Sequence, residues 1–71
     1  MNLTPSSEQV LSFSEQEVLR LISEGCSPEE ISVVLLFSQY TVEALKHSIS
    51  EKLDTLYITE AVHKARLMNL I

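Results

Sequence analysis

Two helix start signals, one shortly after the other, constrain this chain more than any other feature of its sequence. Ser27 precedes Pro28, and Glu30 lies three residues after Ser27, which forms a capping box with proline at the first helical position. Ser38 then precedes a segment that runs to Leu53 without glycine or proline. A short helix, a tight apolar turn and a longer amphipathic helix are predicted, which is the arrangement of a helix-turn-helix unit.

One further helix is predicted on each side of this unit. Ser12 and Glu15 form another capping box, which predicts a helix that ends just before Gly25, where a left-handed terminator is expected. A fourth helix is predicted to begin with Thr59 as its N-cap and to end at Asn69, a residue that tolerates the left-handed conformation. The sequence therefore predicts an all-α fold of four helices.

The apolar residues of these segments recur at helical spacing and predict the core. The predicted core residues are Val18, Leu19, Leu21, Ile22, Leu35, Phe37, Val42, Leu45, Ile49, Leu53, Leu56, Ala61, Val62, Ala65 and Met68, with Leu70 and Ile71 folding back onto them. We expect one domain over residues 11–71. Residues 1–10 are polar and contain Pro5, which predicts a tail or a linker.

Size, charge and cysteine content exclude several classes of protein. A chain of 71 residues is too short for a pocket enclosed by two lobes. Its longest apolar run is far below the ~18 residues of a membrane span. The only cysteine, Cys26, cannot form an internal disulfide, which suits a reducing cytoplasm. Together with His47 and His63 it matches no zinc-binding pattern, so no metal is expected.

The net charge is −5, whereas a nucleic-acid-binding domain is expected to be basic, at least locally. Residues 1–37 contain six glutamates and one arginine, and residues 38–71 contain four acidic and four basic residues. The acidic excess therefore lies in the first half of the chain, and the half that contains the longer helix is neutral.

Several groups of residues follow one another in a recognisable order. They are Leu11, Ser12, Glu15, Glu17, Val18, Leu19 and Gly25, then Glu30, Ile31, Ser38, Thr41, Val42, Ile49, Lys52 and Leu53, and finally Thr59, Glu60, Ala61, Val62, Leu70 and Ile71. This ordered set resembles the LuxR/GerE family of bacterial helix-turn-helix domains over nearly the whole chain, and the spacing between the groups fits without a gap.

The resemblance implies a four-helix domain in which helices two and three bind DNA and the fourth helix packs against them and joins two copies on a two-fold operator. Such domains usually lie at the C-terminus of response regulators or autoinducer receptors, and some stand alone. No enzymatic activity and no cofactor are implied. The expected contacts with double-stranded DNA are Gln39, Tyr40, Thr41, Glu43, Ala44, Lys46, His47, Ser50 and Lys52. The expected homodimer contacts are His63, Arg66 and Leu67.

Departures from the family pattern support an alternative function. Glu43 lies where the family usually has Lys or Arg, and Val33, Val34, Leu45 and Ile58 replace residues that are usually polar or charged. The alternative is a degenerate helix-turn-helix that binds a protein partner through these four apolar residues and has little affinity for DNA. Glu43 fits either a masking or specificity role on DNA or a loss of DNA binding, and the sequence favours neither.

The surface of the third helix distinguishes these two functions. A continuous positive strip from Lys46 to Lys52 would favour DNA binding, because phosphate contacts provide most of the affinity of such domains. A mixed or apolar surface would favour a protein partner.

Overall fold

The computed structural model describes residues 11–71, which form four helices. These are α1 (Phe13–Ser23), α2 (Pro28–Leu35), α3 (Gln39–Lys52) and α4 (Ile58–Leu67), and no strand occurs in this part of the chain. The prediction of an all-α domain with a helix-turn-helix unit is confirmed. The predicted tail or linker at residues 1–10 lies outside the described residues.

The first three helices begin where the sequence predicts. The backbone N–H of Ser12 donates to the Glu15 carboxylate at 2.7 Å, and the backbone N–H of Glu15 donates to the Ser12 hydroxyl at 3.1 Å. Ser27 and Glu30 repeat this capping box with the same two distances. The Ser38 hydroxyl caps α3 by accepting from the backbone N–H three residues later, at 3.0 Å. Each cap satisfies an N–H group that has no partner inside its helix.

The prediction that Thr59 caps α4 is wrong, because the N-cap is Tyr57 and Thr59 is the second residue of the helix. The Glu60 carboxylate accepts from the backbone N–H groups of Leu56 at 3.2 Å and of Tyr57 at 3.4 Å. A glutamate at the third helical position can satisfy these N–H groups without a hydroxyl at the N-cap. The helix therefore begins before Thr59 is reached.

The helix ends use left-handed residues and one lysine. Gly25 has a φ angle of 95° and Asn69 of 60°, which confirms both predicted terminators. Leu36 ends α2 with a φ angle of 59°, which was not expected for a branched apolar residue. At the end of α3 the ammonium group of Lys64 donates to the carbonyl oxygen of Leu53 at 2.7 Å, so a side chain of α4 satisfies a carbonyl group that α3 leaves open.

The core lies where α1 and α3 cross and is closed by α2 and α4. Its buried apolar residues are Leu11, Val18, Leu19, Leu21, Ile31, Val42, Ile49, Leu53, Ala61 and Ala65. Ile22, Leu35, Phe37, Leu45, Val62, Leu70 and Ile71 pack against this core and are partly buried.

Two predicted core residues are exposed. Leu56 is 85% exposed and Met68 is 45% exposed. Leu56 follows the end of α3, so the helical spacing that predicted its burial no longer applies. Met68 is the C-cap of α4, where the chain turns back toward the core through Asn69.

Candidate nucleic-acid interface

Helix α3 has one buried side and one exposed side, and the exposed side is the candidate interface. Val42, Ile49 and Leu53 are buried against the rest of the domain. Tyr40 is 85% exposed, and its neighbours in the same direction around the helix are also exposed. With a rise of about 1.5 Å per residue, the 14-residue helix is roughly 21 Å long. The fold therefore presents a rod-shaped surface to the solvent.

The nine predicted DNA contacts divide into three groups around α3, because successive residues are about 100° apart. Tyr40, Ala44 and His47 point away from the core. By this spacing Gln39 shares a flank with Glu43, Lys46 and Ser50, which line a groove with the start of α4. Thr41 shares the other flank with Lys52, which contacts Glu15 of α1. The structure thus brings the first two groups together and separates Thr41 and Lys52 from them.

A groove runs along the flank of α3 that faces the start of α4. It has a volume of about 310 Å³ and is lined by Glu43, Lys46, His47, Ser50, Leu56, Tyr57 and Ile58. Inside it the ammonium group of Lys46 lies 3.4 Å from a carboxylate oxygen of Glu43. The groove therefore offers both hydrogen-bond donors and a carboxylate acceptor, with apolar side chains at one edge.

Lys52 is bound to a carboxylate that sequence reasoning did not connect with it. Glu15 of α1 is only 3% exposed, and its side chain accepts from the backbone N–H of Ser12, from the Ser48 hydroxyl at 2.6 Å and from the Lys52 ammonium group at 2.8 Å. Burial raises the pKa of Glu15, but the hydrogen bonds from Lys52, Ser48 and Ser12 and the positive charge of Lys52 outweigh it and hold the pKa below its ordinary value.

This network has a signal in the sequence that local reasoning passed over. Glu15 lies three and four residues before Val18 and Leu19, so helical spacing places it on the buried face of α1. A buried carboxylate requires donors. The spacing does not reveal which distant residues supply them, and here they come from α3.

No continuous positive strip extends from Lys46 to Lys52, since the two lysines lie on different flanks and each pairs with a glutamate. The other lysine and arginine side chains, all of which lie within residues 11–71, also have partners, which are glutamates or backbone carbonyl oxygens. Arg20 pairs with Glu17 at 2.6 Å and Glu24 at 2.9 Å, Lys64 donates to Leu53, Arg66 donates to the carbonyl oxygen of Ser23 at 3.3 Å, and His47 lies 3.5 Å from Glu51. The exposed surface of α3 is therefore mixed in charge.

The four apolar residues of the alternative function do not form one surface. Val33 and Val34 are 72% and 59% exposed on α2, whereas Leu45 and Ile58 pack partly against the core. The two valines line a different groove from the one that contains Ile58.

The residues expected at the dimer interface, His63, Arg66 and Leu67, are all exposed on α4. Residues 11–71 contain no group of three or more His, Cys, Asp and Glu side chains placed to hold a metal ion. None of the helices in this part of the chain is both long and apolar enough to cross a membrane.

A family model described as GerE, bacterial regulatory proteins of the luxR family, matches residues 9–65. The match covers most of the chain, including α1, α2, α3 and the greater part of α4.

Proposed function

The chain belongs to the luxR family of bacterial regulatory proteins, whose domains are DNA-binding transcription regulators, and we propose that it binds double-stranded DNA as a homodimer. Helix α3 of each copy enters the major groove, and two half-sites lie about one helical turn, roughly 34 Å, apart. The exposed residues His63, Arg66 and Leu67 of α4 join the two copies. In this proposal the protein acts in the cytoplasm as a regulator and not as an enzyme.

The exposed face of α3 is the observation that carries this proposal. An α-helix with its side chains is about 10–12 Å across, which matches the major groove width of about 12 Å. The first turn of α3 contains no acidic residue, and Gln39 and Tyr40 are exposed there. Recognition helices contact base edges with their N-terminal residues, and glutamine can bond adenine in a bidentate manner.

Lys46 is the cation best placed to reach a phosphate group. The Lys46 side chain is 25% exposed and that of its partner Glu43 is 58% exposed, and an ion pair at the surface contributes only about 0–1 kcal/mol. Exchange of Glu43 for a phosphate therefore costs little. Lys52 is less available, because its departure would leave the buried Glu15 carboxylate without its cation.

A salt series on the Lys46→Ala variant tests this proposal. Binding to a pool of random duplexes is measured by fluorescence anisotropy as ionic strength rises. Each phosphate contact contributes about −0.9 to the slope of log affinity against log salt. The homodimer contains two copies of Lys46, so the variant should bind all duplexes more weakly and with a slope smaller by about two.

Arg20→Ala is the matched control, because Arg20 lies on α1 and, within residues 11–71, pairs with Glu17 and with Glu24 just after the helix. Its affinity and slope should equal those of the unmodified protein. If no duplex is retained at low salt by the unmodified protein, the proposal of DNA binding is wrong.

The paired cations of α3 and the exposed valines of α2 favour a second candidate function. A helix-turn-helix domain of this kind would bind a protein partner and have little affinity for DNA. An apolar contact holds or tightens as salt concentration rises, whereas phosphate contacts weaken. The same salt series therefore separates the two functions.

A further inference from the structure

An apolar groove lies beside α2 and shares no lining residue with the groove along α3. It has a volume of about 420 Å³ and is lined by Cys26, Glu29, Glu30, Val33 and Val34. The two valines are well exposed, although Ile31 of the same helix is fully buried. We propose that this groove binds a basic amphipathic helix of a partner protein, with aliphatic side chains against the valines and Lys or Arg against the glutamates.

The charges around the groove determine which partner fits. The glutamates of α1 and its C-cap have cations nearby, since Glu17 and Glu24 pair with Arg20 and Glu15 pairs with Lys52. Within residues 11–71 neither Glu29 nor Glu30 pairs with a cation, and Glu30 accepts only from the capped end of its own helix. Two carboxylates without cations therefore lie beside an apolar surface.

These carboxylates argue against two other occupants. DNA is excluded because its phosphates would meet Glu29 and Glu30. A two-fold contact between two copies of this chain would bring the same glutamates of both copies together, since such an interface uses the same patch twice. A helix that carries both aliphatic and basic side chains complements the apolar and the acidic parts of the groove at once.

Leu36, just after α2, is a further exposed apolar side chain that the fold does not require. It lies one turn after Val33, it is 90% exposed, and it has a left-handed backbone that disfavours a residue with a Cβ atom. Glycine or asparagine at this position would fold more easily. The exposed leucine therefore enlarges the apolar surface of α2 at a cost to stability, which fits a surface that is used for binding.

Cys26 gives a direct readout of the groove, because it lines the groove and is the only cysteine of the chain. The rate at which a thiol reagent modifies Cys26 is measured with and without a synthetic amphipathic helix of leucine and lysine, about 14 residues long. The proposal predicts that this peptide slows the modification. A peptide of leucine and glutamate, and one of alanine and lysine, should each protect Cys26 at least about tenfold less at equal concentration.

Variants then locate the binding surface. The double variant Val33→Thr, Val34→Thr should weaken peptide binding about tenfold, because each substitution puts a hydroxyl in place of a methyl group that the bound peptide would cover. The double variant Glu29→Gln, Glu30→Gln should weaken it several-fold at low salt and remove most of its salt dependence, while glutamine preserves the capping box. Phe13→Thr, which alters an exposed residue at the far end of α1, should bind as the unmodified protein does.

Three results would overturn the proposal. The first is equal modification rates with and without the leucine–lysine peptide. The second is protection of Cys26 by one of the other peptides that equals protection by the leucine–lysine peptide. Equal protection by the alanine–lysine peptide would contradict the apolar part of the proposal, and equal protection by the leucine–glutamate peptide would contradict its basic part. The third is protection that rises with protein concentration in the absence of peptide, which would identify a second copy as the occupant. None of these results depends on DNA binding, so failure of the proposed function leaves this test intact.

Discussion

Three residues other than glycine have a left-handed backbone within residues 11–71, and their side chains tolerate it unequally. Their φ angles are 59° for Leu36, 58° for Asp54 and 60° for Asn69. Asp and Asn adopt this conformation readily, because their side chains hydrogen-bond locally, whereas it costs other residues about 1–2 kcal/mol. Leu36 recovers none of this cost by packing, since it is 90% exposed.

Leu36→Gly should therefore stabilise the protein. Relief of about 1–2 kcal/mol of strain is offset by about 0.5–1 kcal/mol of added chain entropy in the unfolded state, which leaves a gain of about 0–1.5 kcal/mol. Thermal unfolding should show a Tm that is higher by several degrees. Asn69→Gly, at a residue that already tolerates its φ angle, should change the Tm less. A lower Tm for Leu36→Gly would mean that the exposed side chain has a structural role.

Glu43 is the residue whose charge most affects the candidate DNA interface. Glu43→Lys removes a carboxylate that repels phosphate groups and also releases Lys46 from its ion pair. We expect affinity for random duplexes to rise about tenfold or more at low salt, in line with the gain of at least one phosphate contact. Anisotropy titrations measure this change.

Glu24→Lys is the matched control for that substitution. It changes the net charge equally but lies at the end of α1, where Glu24 pairs with Arg20. An equal gain for both variants would show that overall charge, and not the position of Glu43, limits DNA binding.

At the scale of the element, α2 depends strongly on its first turn. It has only eight residues, and helices of this length are not stable alone. Ser27→Ala removes the hydroxyl that accepts from the backbone N–H of Glu30 and should reduce the free energy of unfolding by about 1 kcal/mol. Urea denaturation followed by circular dichroism measures the difference.

Ser32→Ala provides the comparison within the same helix. The Ser32 hydroxyl donates to the carbonyl oxygen of Glu29 within the same helix and caps neither of its ends. Alanine also has the higher helix propensity. Its stability should stay within about 0.5 kcal/mol of the unmodified protein. Equal losses for both serine variants would contradict a specific role for the Ser27 cap.

The starts of the helices show what local sequence rules can predict. The predicted caps at Ser12, Ser27 and Ser38 are confirmed, because each cap depends on atoms within three residues of it. Thr59 was wrong because two local rules compete there. A threonine at the N-cap and a glutamate at the third position predict different starts, and Glu60 determines the outcome.

At the scale of the molecule, the contacts that hold Lys52 away from the candidate site are distant in sequence and could not be predicted in the same way. Glu15 is 33 residues from Ser48 and 37 from Lys52, so no local pattern pairs them. Helical spacing predicted that α3 has an exposed face, and it also separates Lys46 from Lys52. The loss of a free cation at Lys52 follows only from the packing of α1 on α3, which no spacing along one helix reveals.

The Glu15 network makes the stability of the whole domain depend on pH. Because the pKa of Glu15 is lowered in the folded state, its stabilising contribution is complete above the pKa of the unfolded chain, near 4.5, and is lost as pH falls through the lower folded value. Glu15→Gln should reduce the free energy of unfolding by about 1–2 kcal/mol at neutral pH, and this value takes account of the partial exposure of Lys52.

Chemical denaturation at a series of pH values checks this prediction. The free energy of unfolding of the unmodified protein should fall as the pH is lowered below about 4.5. That of Glu15→Gln should fall less over the same range, because the variant has no carboxylate to protonate at this position. Glu24→Gln, whose carboxylate is exposed, should follow the unmodified protein. Parallel curves for Glu15→Gln and the unmodified protein would mean that the link between α1 and α3 rests on hydrogen bonds that a neutral side chain makes equally well.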